Sequence, residues 1–171
     1  MSTSRNHPFT LTELLVAIAI VLILVGITIA GVGYARRRAD EAKAVAILEQ
    51  FAQGLEAFRA ENGYYPPAAS ATDVKFHLIK KQPSDAEPTR LVLTIGVATY
   101  NFYSEKSGKN FCEFSHFDTI TTATALEDSW DNPIQYQCPG ANNKTGYDLW
   151  SKGQNTASAD DDITNWGDNK H

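Results

Sequence analysis

From Leu14 through Ala35 the chain runs for 22 residues without one charged side chain. As a helix rising about 1.5 Å per residue, such a run covers roughly 33 Å, about the thickness of a bilayer's hydrocarbon core. Val, Ile, Leu and Ala dominate it, and Gly26, Gly31 and Gly33 are small residues of the kind that let helices approach in lipid. A cleaved secretory signal is the competing reading. Signal apolar regions run about 7–15 residues and end at a small-residue cleavage site, whereas this one flows into further helical pattern. Only this one segment is long enough to span, which excludes a polytopic membrane protein. Arg36, Arg37 and Arg38 follow the run, while only Arg5 and His7 precede it. Taken alone, the positive-inside rule then places the rest of the chain in the cytoplasm.

Beyond the run, Ala44, Ile47, Leu48, Phe51, Leu55 and Phe58 recur at three- and four-residue steps, with Glu49, Gln50, Gln53, Glu56 and Arg59 between them. That is one apolar stripe on a helix. Asn62-Gly63 is a stop signal and Pro66-Pro67 forbids resumption. The pattern predicts one helix from Phe9 to Asn62. Residues 9–35 are its membrane-spanning half and 36–63 its amphipathic half, on which a globular domain must pack.

That domain is residues 64–171. It carries nine Lys/Arg against fourteen Asp/Glu, whereas residues 1–63 balance six against six, for −5 overall. No domain-wide positive field exists to release counterions from phosphates, so a nucleic-acid binder is excluded. Asp73–Lys81 reads as a short helix stopped before Pro83, with His77 an ordinary surface or edge residue. Leu91–Ile95 and Tyr100–Tyr103 have strand composition. Ile134–Cys138 alternates with period two, and Tyr147–Ser151 follows a loop rich in Gly and Asn, so these two predict an antiparallel hairpin laid against the helix. The expected class is α+β: a long N-terminal helix packed by a small antiparallel sheet. His7, His77, His116 and His171 lie far apart, and no serine stands in a Gly-x-Ser-x-Gly context, so no enzyme is expected. Two cysteines alone make no zinc site.

Glu13 lies one turn inside the apolar segment, where a carboxylate is costly and calls for a partner. With its surroundings, Pro8-Phe9-Thr10-Leu11-Thr12-Glu13-Leu14-Leu15-Val16-Ala17-Ile18-Ala19-Ile20, it resembles the class III signal of type IV pilins and type II secretion pseudopilins. The resemblance implies a leader over residues 1–8, cleavage by a prepilin peptidase between Pro8 and Phe9, and N-methylation of Phe9. It makes Glu13 the carboxylate that neutralises the N-terminal ammonium of a neighbouring subunit inside a filament. Where the family has Gly before the cleavage point this chain has Pro8, and Thr12 replaces the usual aliphatic residue. In the family the leader is cytoplasmic and the C-terminal domain lies across the inner membrane, in the periplasm. This motif is more specific than three arginines, so the exported topology is expected.

The C-terminal part is similar to the major pseudopilin of type II secretion. Asp128-Ser129-Trp130-Asp131-Asn132-Pro133-Ile134-Gln135-Tyr136 resembles its Asp-Pro-Trp-Gly-Asn-Pro-Tyr-x-Tyr run, Tyr147–Gly153 its next strand, and Asp162-Ile163-Thr164-Asn165-Trp166 its closing motif. Residues 68–126 show no such likeness. The resemblance implies a structural subunit of a helical homopolymer, a periplasmic pseudopilus that drives protein export, partnered by minor pseudopilins and the secretion platform. The alternatives are a major pilin of a surface pilus or a minor pseudopilin. It also implies a calcium ion in the loop between Gly153 and Asp162, with Asn155 and Asp162 as side-chain ligands, a carboxylate from Asp160 or Asp161, and backbone carbonyls from Lys152 to Asp160. Hard oxygens on a flexible turn suit Ca²⁺, and a solvated acidic loop is the other reading. An exported location would permit a disulfide between Cys112 and Cys138, with two separate thiols the alternative.

Overall fold

A computed structural model describes residues 10–79, 90–114 and 122–167, the side chains of 28–31 aside. Helix α1 (Leu11–Asn62) is 52 residues long. Contacts divide the chain into two compact units, Met1–Ala39 and Asp40–His171.

In the first unit every described side chain of α1 is solvent-facing, including Leu11, Leu14, Leu15, Ile18, Leu22 and Ile27. An 18-residue window there has mean hydropathy 3.0, and none of it is buried. An apolar surface of this length, exposed among the described residues, suits lipid.

The second unit is built on the stripe expected from the sequence. Ala44, Leu48, Phe51, Leu55 and Phe58 are all buried to 6% exposure or less. The helix stops where predicted, with Gly63 in the left-handed region at φ 85° and donating its N–H to Arg59 O at 2.7 Å.

Against the stripe lies an antiparallel sheet of seven strands. Its order is β3 (Ala98–Asn101), β2 (Arg90–Ile95), β1 (Ala68–Ile79), β7 (Gln135–Cys138), β8 (Asp148–Ser151) and β9 (Ile163–Thr164), with β6 (Thr124–Ala125) also on β1. Strands β4 (Tyr103–Ser104) and β5 (Lys109–Asn110) form a separate pair. The two strands expected to make a hairpin, β7 and β8, pair antiparallel with Gln135 opposite Trp150 and Tyr136 opposite Leu149. The stretch expected as Tyr100–Tyr103 divides at buried Phe102 into the end of β3 and the start of β4.

One element is corrected. The pattern over 73–81 predicts a helix; residues 73–79 instead form the second half of β1, the central strand, and 80–81 lie outside the described residues. Val74, Phe76 and Leu78 are buried while Lys75 and Ile79 face out, a period of two that a helix could not bury on one side. β1 meets β2 along one edge, from Val74 opposite Ile95 to Ile79 opposite Arg90. Its other edge takes β7 and then β6. His77 is half-buried on this inner strand and its Nδ1 has no hydrogen-bond partner.

The core between helix and sheet is aromatic. Phe51 meets Phe76 edge-on with centroids 5.5 Å apart, and Phe58 stacks on Phe102 at 5.7 Å. Buried Tyr136 donates its hydroxyl proton to Pro66 O at 2.9 Å, closing the turn after the helix onto the sheet. Cys112 packs where a Cβ added to Gly54 would stand 3.0 Å from its Cβ, so helix and chain touch closely there.

Candidate functional site

The residues singled out from the sequence fall in two places, one in each unit. In the first, Thr10 precedes α1 and Glu13 is its third helical residue. Glu13 Oε2 accepts from Thr10 N at 2.9 Å and from Thr10 Oγ1 at 2.8 Å, while Glu13 N donates to Thr10 Oγ1 at 3.3 Å. This is a capping box, satisfying free amides at the helix start reciprocally. Glu13 therefore does local work in the single chain as well as being the lone acidic residue of the apolar half. Pro8 and Phe9 lie outside the described residues.

The second place is the loop from Lys152 to Asp162, and its footing explains the motif around Asp128. Buried Asp128 accepts at Oδ1 from Trp130 N (2.8 Å) and Asn132 N (2.9 Å), and at Oδ2 from Ser151 Oγ (2.5 Å). Ser151 Oγ in turn accepts from Gly153 N at 3.1 Å, and Asn132 Nδ2 donates to Gly153 O at 2.8 Å. A turn before β7 thus clamps both backbone polar groups of the residue at the head of the loop. The far end is held by Asn165, whose Oδ1 accepts from Leu149 N at 2.9 Å and whose Nδ2 donates to Tyr147 O at 3.1 Å. Trp166 meets Trp150 edge-on at 5.5 Å. Side chains here stand in for strand hydrogen bonds that two-residue β9 is too short to make.

Between these clamps the loop folds on itself. Gly153 has φ 61°, and a Cβ there would fall 2.3 Å from Asp161 O. Only glycine fits both the left-handed backbone and the contact. Asp161 Oδ2 accepts from Asn155 N at 2.8 Å, while its Oδ1 is buried without a partner. Burial, with the Asp161 charge adding to it, pushes the Asp162 carboxyl above its ordinary range, and Lys152 works in the opposite direction. Asp160 faces elsewhere, accepting from Ser158 Oγ at 2.8 Å. Asn155 Oδ1 accepts from Ala157 N at 3.3 Å, a local Asx turn.

Of the four side chains expected around a cation, the structure draws Asp161 and Asp162 together beside Lys152. It leaves Asn155 and Asp160 in local turns. Among the described residues no three His, Cys, Asp or Glu side chains converge as a metal cluster. An orphaned carboxylate oxygen next to a second carboxylate fits a hard cation completed by amide and carbonyl oxygens. The choice of Asp161 over Asp160 was not readable from three consecutive aspartates; Gly153, whose missing Cβ admits Asp161, was the available signal. Of the two readings left open for Cys112 and Cys138, a disulfide or two separate thiols, the structure has the second: Cys112 packs against α1 and Cys138 donates to Gly146 O. Burial drives the Cys112 thiol well above its ordinary value, which keeps it protonated and unreactive.

Comparison with known proteins bears on both places. Residues 5–29 match the prokaryotic N-terminal methylation motif, and residues 106–166 match the type II secretion system protein G family. The second match reaches back into 68–126, a stretch that shows no likeness at the level of short motifs. Type II secretion system core protein G of Aeromonas hydrophila is 27% identical over 167 residues, covering 97% of this chain and 96% of that protein. The Escherichia coli K12 protein of the same name is 27% identical with 97% and 94% covered, and that of Pseudomonas aeruginosa 25% identical with 97% and 99% covered. No solved structure matches the chain significantly.

Proposed function

We propose that this chain is a pseudopilin of the type II secretion protein G kind, as its similarity to that family supports, and that it polymerises through its N-terminal helix into a periplasmic fibre that drives protein export. The observation that carries the reading is the apolar, exposed half of α1 with Glu13 as its lone acid. Such a helix anchors the subunit in the inner membrane first and lines a fibre core afterwards. Glu13 then pairs with the N-terminal ammonium of the next subunit after a prepilin peptidase removes residues 1–8, so two charges costly in an apolar core become one pair. The acidic domain lies on the periplasmic side, where minor pseudopilins and the secretion platform are the further partners. Glu13→Val should leave the protein in the membrane and abolish its incorporation into fibres; normal fibre yield would refute the pairing. Intact mass of membrane-extracted protein reads the processing step, and a chain still starting at Met1 would show that Pro8 blocks it.

The C-terminal loop takes a calcium ion in the same reading. Asp161 Oδ1 and the Asp162 carboxylate hold it, with Asn155 and the backbone carbonyls of Lys152–Asp160 as remaining oxygen donors. The ion supplies the positive charge that two adjacent, partly buried carboxylates need in order to be ionised together. Calorimetric titration with Ca²⁺ tests this, and no uptake at millimolar concentrations would leave the loop a solvated acidic turn.

A further inference from the structure

The apolar half of α1 ends in a group of side chains to which neither the proposed Glu13 pairing nor the metal loop gives a role. Tyr34, Arg36, Arg37 and Arg38 are all exposed, Tyr34 to 64%. Successive helical residues turn by about 100° and climb about 1.5 Å. Three consecutive arginines therefore spread over roughly 200° of circumference within about 3 Å of height. That arrangement addresses a plane. A partner helix would be met by a stripe at three- and four-residue steps instead. Arg38 Nε donates to Tyr34 OH at 3.2 Å, and its guanidinium carbon stands 5.6 Å from the ring centroid, so ring and cation are held at one level. The charge-free run stops at Ala35, one residue before the first of these arginines. An amphipathic ring and cations at the end of an apolar span suit a headgroup layer. On the exported topology these cations stand on the side where the positive-inside rule gives them no role.

We propose that Tyr34, Arg36, Arg37 and Arg38 form a docking collar for the phosphates of anionic phospholipids in the leaflet where α1 emerges, setting the depth of the helix in the membrane. Guanidinium groups pair with phosphate oxygens in a bidentate fashion. Each arginine at an anionic surface adds roughly a fivefold preference. The proposal rests on the membrane-spanning reading of α1 but not on fibre assembly.

The test uses the full chain in non-ionic detergent, titrated with phosphatidylglycerol or phosphatidylcholine and read by native mass spectrometry. Phosphatidylglycerol should be retained at least about tenfold better than phosphatidylcholine. Arg36→Gln with Arg37→Gln should weaken that retention by about thirtyfold, and Lys43→Gln should leave it unchanged. Equal retention of the two lipids, or an unaltered double variant, overturns the collar. Displacement of the lipid by millimolar inorganic phosphate also overturns it, in favour of a free-anion site. So does a double variant that keeps the lipid and loses fibres, which would assign the arginines to a neighbouring subunit. Carbonate extraction of membranes checks the premise separately. Release of the wild-type chain would sink the spanning reading itself, whereas firm retention without lipid preference would sink the collar alone.

Discussion

Replacing Asp128 with alanine should cost more than its place on a turn suggests. The carboxylate is 6% exposed and serves three donors: Trp130 N at 2.8 Å, Asn132 N at 2.9 Å and Ser151 Oγ at 2.5 Å. Alanine strands all three. Ser151 is fully buried and has no water to turn to, whereas Trp130 and Asn132 are half-buried and recover part of theirs. At about 1–3 kcal/mol for each stranded buried donor, the loss comes to about 3–5 kcal/mol, a large part of the roughly 5–15 kcal/mol that holds a domain folded. Asparagine is the discriminating control. Its Oδ1 still accepts from both amides, and its Nδ2 can donate to Ser151 Oγ, leaving only the serine proton without an acceptor. That change should cost about 1–2 kcal/mol. Asp128→Ala combined with Ser151→Ala should cost less than the two single changes added, because the stranded hydroxyl is gone. Urea unfolding of the full chain in detergent, followed by near-ultraviolet circular dichroism of the Trp150–Trp166 pair, reads all of these. With a slope of about 1–3 kcal/mol per molar, the alanine midpoint should fall by roughly 2 M and the asparagine midpoint by less than about 1 M. Equal shifts for alanine and asparagine, or an alanine loss under about 1 kcal/mol, would refute the clamp.

Phe51→Ala, at the centre of the aromatic core, should cost about 3–5 kcal/mol by the same assay and Phe51→Leu distinctly less; a loss under about 1 kcal/mol would mean that the helix does not seat on Phe76 and Phe102 as described. Gly153→Ala places a Cβ 2.3 Å from Asp161 O on a left-handed backbone, so it should raise amide hydrogen exchange across 154–161 while leaving β1 protected, and unchanged exchange in the loop would contradict the contact. Asp162 gives a test of sign. Its folded pKa is raised above the ordinary 3.8, chiefly by burial, so the folded state holds the proton longer than the unfolded one. The stability this contributes is fully present below about 3.8 and lost as pH rises through the folded value. Without calcium, Asp162→Asn should therefore raise the neutral-pH melting point slightly, and with saturating calcium it should lower it; the same sign in both conditions would exclude Asp162 as a ligand.

The helix was legible because its signals are local and repeated: a charge-free run, a stripe at three- and four-residue steps, and Asn62-Gly63 to end it. Strands β2, β7 and β8 were legible from composition and alternation. The central strand was not. Val74, Phe76 and Leu78 alternate cleanly, but Lys80 and Lys81 and the proline at 83 suggested a helical stop, and nothing nearby says that this segment is flanked on both edges by strands from 90–95 and from 124–138. Pairing partners so distant leave no mark in a short window. The loop's location and its acidic character were readable, but the carboxylate turned inward was not, because Asp160, Asp161 and Asp162 are equivalent until the backbone at Gly153 selects among them. Asp128 and Asn132 stand out as a motif, yet their work is done on Ser151 and Gly153 some twenty residues away, and only the fold brings them there.

The order in which the sheet is assembled has a consequence for the nascent chain. Leu48, Phe51, Leu55 and Phe58 leave the ribosome early, but strands that bury them come from as far along as β8 and β9, where Leu149 and Ile163 join the same core. At about 5–20 residues per second, roughly a hundred further residues take on the order of 5–20 s. For that interval the greasy stripe that will become the core stands bare beside an apolar segment longer than itself. Arg36, Arg37, Arg38 and Asp40 stand between the two as a charged punctuation mark, one hydrophobic message ending before them and the next beginning after.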